Sequence, residues 1–180
     1  MWDTMNATRE RVAELHEEYL RTLEPAQARL RARLVGPDEP DPDGTVGSLT
    51  AVTRCFLTQI LEPRCDEPAD LPSWWNPARP TAIASHPDAG PFTTAQLALI
   101  DEMQAYVAEV MTNSRPDVKW VIFKGHKKDF RNGQPMLQTG KGMPFGISGI
   151  VYGMALDVAY YHREVRPDRL TELVRDAIAK

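Results

Sequence analysis

The chain has 180 residues, of which 42% are hydrophobic and 26% charged, and a net charge of −4. That composition is globular, and its acidic balance disfavours general affinity for nucleic acid or an anionic membrane surface. Folding a chain of this length buries roughly 70% of its unfolded surface, enough for one core, so residues 1–180 are expected to form a single domain.

The first stretch, MWDTMNATRERVAELHEEYL, is charged and helical in pattern. It lacks the apolar segment of about 7–15 residues that a signal peptide needs, so an intracellular, cytoplasmic protein is expected. From Asn6 to about Leu34, apolar residues recur at Val12, Leu15, Tyr19, Leu20, Leu23, Leu30 and Leu34, the spacing of an amphipathic helix. Pro25 should kink or divide it, because proline loses a backbone bond and clashes with the carbonyl four residues back. The glycine, prolines and acids of VGPDEPDPDGTVG then require a loop, and a second helix is expected over Val46–Leu61.

Residues 63–92 are rich in proline, with LPSWWNPARP among them, and are expected to be irregular. A long irregular stretch usually carries function or disorder. Trp74 and Trp75 favour a segment packed across the domain with one indole buried. Next, TTAQLALIDEMQAYVAEVM opens with Thr93 and Gln96 at capping-box spacing and carries Leu97, Ile100, Val107 and Val110 along one side, which predicts a helix over 93–112.

VKWVIF and PMLQT are rich in strand-forming residues, and Asn132–Gly133 is a hairpin signal that could add a third short strand over Lys127–Arg131. Tyr106, Val110 and Trp120 are expected to close the preceding helix on this sheet, with Glu109 bonding to a loop amide. Ile147–Tyr161 reads as a helix packed on several sides, and Pro167 suits the first position of a final helix. The fold class is therefore α+β, mainly helical, with a small antiparallel sheet or hairpin near residues 118–139 flanked by helices.

GQPMLQTGKGMPFGISGIVYG, residues 133–153, has the look of a phosphate loop. Its glycines fit neither the P-loop nor the dinucleotide spacing, and Gly142 stands where a P-loop needs a hydroxyl. The reading that these residues leave is a generic anion site, with Lys141 supplying charge and Gly142, Gly146 and Ser148 lying at a helix N-terminus. Ser148 is more simply a helix cap, since GISG places the second glycine one residue too early for a nucleophile elbow.

Cys55 and Cys65 are the only cysteines, and their spacing leaves open whether they pair. His16, His86, His126 and His162 are scattered and form no close ligand pair. No metal and no cofactor is implied. The most apolar window, Met143–Tyr161, is interrupted by Gly146, Gly149, Gly153 and Asp157 and falls short of the roughly 20 apolar residues of a membrane span.

Charge is more informative. Pro116–Lys141 carries Lys119, Lys124, Lys127, Lys128, Arg131 and Lys141 against Asp117 and Asp129, a balance of +4 that leaves −8 on the rest of the chain. A basic hairpin on an acidic body can steer an acidic protein partner. The other reading is a solvated hairpin whose lysines prevent edge pairing.

AYVAEVMTNSRPDVKWVIF followed by NGQPML resembles an arrangement in uncharacterised bacterial domains: a helix ending in Tyr-x-x-Glu, a short loop, a Trp-bearing strand and a second strand. Some such domains are immunity or accessory partners of toxins, so the resemblance favours a binding protein over an enzyme. Ala108 stands where they more often carry glycine, and no functional residue transfers. The expectation is a non-enzymatic protein that docks a macromolecular partner through Lys124, Lys127, Lys128 and Arg131. The alternative is an enzyme or small-ligand binder using residues 140–149 as an anion site. Nucleic acid is disfavoured, because Phe130 is the only aromatic inside the basic loop. The oligomeric state stays open.

Overall fold

The computed structural model describes residues 4, 7–62, 70–76, 90–126 and 128–179. These form the helices α1 (Arg9–Arg33), α2 (Leu49–Leu61), α3 (Thr94–Ser114), α4 (Ile147–Ala159) and α5 (Arg169–Ile178), and the antiparallel strands β1 (Lys119–Ile122) and β2 (Pro135–Gln138). The fold is mainly helical α+β. Among the described residues no helix is long and apolar enough to cross a membrane. Lys127, Cys65 and His86, with the Cys55–Cys65 question, lie outside the described residues.

α3 is the centre of the fold. Thr93 and Gln96 form the capping box the spacing implied, each side chain bonding the other's backbone amide, and α3 packs against all four other helices. It is buried from Leu97 through Ala108 without interruption, so it has no solvent face over that length. Asp101, Glu102 and Gln104 are therefore inside the protein, where polar groups are tolerated only if bonded or paired. Asp101 and Glu102 are matched by arginines on α1: Arg29 Nη2 lies 2.9 Å from Asp101, and Arg33 grips Glu102 with two bonds of 2.9 and 3.1 Å.

Those pairs explain why Pro25 does not divide α1. The helix runs through it, because the turns beyond are clamped to α3 by buried Ala26 and Leu30, by the arginines, and by Gln27 Nε2 donating to the Ala105 carbonyl at 3.1 Å. The tertiary contacts outweigh the local penalty of roughly 3 kcal/mol. The proline-rich segment packs inward at both tryptophans, not at one: Trp74 is 1% exposed and Trp75 6%. Trp74 Nε1 donates to Asp101 at 2.9 Å, and Trp75 stacks on Tyr152.

The expected anchoring of α3 on the sheet is not what forms. Tyr106 faces the start of α2 instead, its hydroxyl 2.5 Å from Ser48 Oγ and 3.3 Å from the Gly44 amide. Glu109 pairs with Arg31. Trp120 stands half-buried against Tyr19 of α1, edge to face at 5.4 Å. The base of the hairpin is held by Arg115, which donates to the carbonyls of Ile178 (2.9 Å) and Thr139 (3.3 Å). A cation at the carbonyl end of α5 also suits the helix dipole. Pro167 lies just before Asp168, the N-cap of α5, and not inside the helix.

Candidate functional site

The basic segment forms a hairpin whose register runs from Lys119 opposite Gln138 to Ile122 opposite Pro135. One residue further, Phe123 faces two residues, donating to the Gln134 carbonyl and accepting from the Gly133 amide, both at 2.9 Å. This two-to-one arrangement is a bulge with glycine in its positive-φ position. Gly133 has φ +85°, and a Cβ there would stand 2.6 Å from Thr4 Cβ. Asn132–Gly133 is thus the point where the loop rejoins β2, not the tip of a tight hairpin.

The expected third strand over Lys127–Arg131 does not form in the described part. From Asp129 to Gln134 the backbone amides bond back in successive turns, Asp129 to His126, Asn132 to Asp129 and Gln134 to Arg131. The Asn132 side chain closes the loop, accepting from the Gly125 amide at 2.5 Å and donating to the His126 carbonyl at 2.7 Å.

Arg131 is not a free docking cation. Its guanidinium grips Asp129 with bonds of 2.9 and 2.6 Å and lies 5.0 Å from the centre of the Phe123 ring. Those bonds, above all the side-chain pair, pull the Asp129 carboxyl down to about 2. Lys124 and Lys128 are exposed and make no ion pair among the described residues. Phe130, two residues after Lys128, is 62% exposed.

The glycine-rich segment is a turn. Leu137 and Phe145 exchange backbone bonds of 3.0 and 2.7 Å, and Gln138 Nε2 donates to the carbonyls of Gly140 and Gly142. Gly140 has φ +129°, a conformation that favours glycine. Lys141 and Gly142 sit exposed in this loop, and Gly146 is the N-cap of α4. Ser148 is a correction: it caps nothing, lies buried inside α4 and donates to Gln104 at 3.0 Å. Its hydroxyl is turned away from the loop, so the four groups of the anion reading do not converge.

The two loops that the sequence set against each other meet in space. Arg131 Nη1 lies 3.5 Å from the sulfur of Met143, which is 67% exposed. Phe130, Met143, Lys124 and Lys128 therefore belong to one end of the hairpin. Among the described residues no group of three His, Cys, Asp or Glu could hold a metal.

Sequence reasoning missed the acidic row inside α3. Burial raises the Asp101 carboxyl, opposed by the Trp74 bond and by Arg29, but both its oxygens are occupied, which makes it structural. Its signal was present as Arg29 and Arg33 one turn apart on α1. No family model, no curated protein and no solved structure matches the chain.

Proposed function

We propose that the protein is a non-enzymatic, intracellular docking protein of the immunity or accessory kind, which holds an acidic protein partner on the end of its hairpin. One observation carries the reading: two large apolar side chains, Phe130 and Met143, stand exposed on neighbouring loops, and Lys124 and Lys128 are exposed on the same end of the hairpin. Apolar groups that a partner can cover supply affinity, and surrounding exposed charge supplies steering and orientation. The loop is bonded into shape in advance by Asn132 and the Asp129–Arg131 pair, which reduces the ordering cost of association.

The charge-reversed variant Lys124→Glu/Lys128→Glu and the variant Phe130→Ser test it. Affinity capture with mass spectrometry identifies a partner, and association is then measured for each variant. The charge variant should slow association and the Phe130 variant should speed dissociation. A partner that is not acidic, or whose binding neither variant changes, would reject the reading.

A further inference from the structure

β1 has one backbone edge that β2 does not cover, and two independent observations show which groups lie on it. Phe123 bonds to β2 through Gln134 and Gly133, so Val121, two residues back, also turns its backbone groups toward β2. On β2, Leu137 uses its N–H and C=O on Phe145 and so turns them away from β1, which makes its pairing with Trp120 a non-hydrogen-bonded one. The N–H and C=O of Trp120 and Ile122 consequently point outward. Among the described residues nothing bonds to them.

This edge lines a cleft of ≈ 820 Å³ whose opposite wall is the first half of α1, at Arg9, Val12, Ala13 and His16. The lining takes every residue from Trp120 to Gly125, with Thr4 and with Asn132 and Gly133 at the bulge, and no residue of β2 itself. A space over a sheet face would touch alternate residues and both strands, so this one runs along the edge. Among the described residues its charged groups are Arg9 and Lys124, and none is a carboxylate. Burial holds the His16 imidazole below its ordinary value.

We propose that the groove takes an extended acidic peptide segment of a partner protein as an added strand on β1. The peptide main chain bonds to Trp120 and Ile122, alternate side chains enter the space against Val12, Ala13 and His16, and its carboxylates meet Arg9 and Lys124. Strand addition of this kind needs a free edge, room beside it and complementary charge, and the groove has all three. The inference takes from the docking reading only the sign of the partner's charge.

A random dodecapeptide library displayed on phage and panned against the full chain supplies the probe. Enriched peptides should alternate apolar residues with Asp or Glu, and their binding should slow hydrogen exchange at the Trp120 and Ile122 amides but leave Val121 unchanged. N-methylation of alternate peptide amides should weaken binding at least about tenfold, as the loss of a few main-chain bonds predicts. Ala13→Glu, at an exposed position of α1, should weaken it comparably with an unchanged thermal midpoint. Failure to enrich acidic peptides, equal binding of the N-methylated peptide, or wild-type binding by Ala13→Glu would each overturn the proposal. Lys128 lies outside the groove lining, so Lys128→Glu separates the two sites. If it slows partner association while the peptide still binds, the hairpin end and the groove act independently.

Discussion

Arg131 reaches from the basic loop to Met143 on the glycine-rich loop, its Nη1 3.5 Å from the sulfur across a separation of 12 residues. The same guanidinium holds Asp129 and covers Phe123. One side chain thus ties two loops and the end of the ladder into a single surface, and its charge is spent on that task.

The Asp129–Arg131 pair makes a pH prediction with a definite sign. The folded Asp129 value, about 2, lies below the ordinary carboxylate value of 3.8. The stabilisation is therefore present above pH 3.8 and is lost as pH falls through about 2. Carboxyl NMR titration should find Asp129 ionised down to that range, and Arg131→Ala should return it toward its ordinary value. An unchanged titration in the variant would remove Arg131 as the cause.

Asp101 has the opposite sign. Burial raises its folded value above the ordinary one, so its contribution is full below pH 3.8 and declines as pH rises through the folded value. Asp101→Asn should flatten that decline in a series of denaturant melts across pH. A steeper loss of stability with rising pH in the variant would contradict the assignment.

Arg33→Ala should destabilise the protein by about 3 kcal/mol, the lower end for leaving a buried partner unpaired. The lower end applies because Arg29 stays 3.6 Å from Glu102, which is fully buried. Denaturant melts check this, and a loss within about 0.5 kcal/mol would place Glu102 in contact with water after all.

Two tryptophans should rank in a definite order. Trp74 is fully buried and bonded to Asp101, so Trp74→Ala should cost about 3–5 kcal/mol. Trp120 is half-buried beside Tyr19, and Trp120→Ala should cost about 1–3 kcal/mol, in proportion to the smaller area lost. Equal losses in chemical denaturation would return Trp120 to the anchoring role that its sequence position implied.

The elements governed by local chemistry were legible in the sequence. The capping box at Thr93 and Gln96 and the two strand-forming runs depend on neighbours within a few residues. The misread features depend on distant ones. Pro25 stays within a continuous α1 because α3 clamps the following turns, and Ser148 turns inward because Gln104 waits 44 residues away. α3 was read as amphipathic because its buried acids look like a solvent face until the arginines of α1 are placed against them. At the candidate site, Lys124 and Lys128 were legible as exposed charge. The joining of the two loops through Arg131 was not, because it requires the hairpin register and the turn at Leu137–Phe145 together.

The most direct test of the docking account is the association rate of a captured partner with wild-type protein and with Lys124→Glu/Lys128→Glu, measured across a salt series. Attraction between exposed charges acts at long range on the encounter and is screened within about 8–10 Å at 0.1–0.15 M salt. The account predicts a many-fold slower association for the variant at low salt, a difference that shrinks as salt rises, and a thermal midpoint close to wild type, because exposed charges add little to folding. Equal association rates for the two proteins at low salt would contradict it.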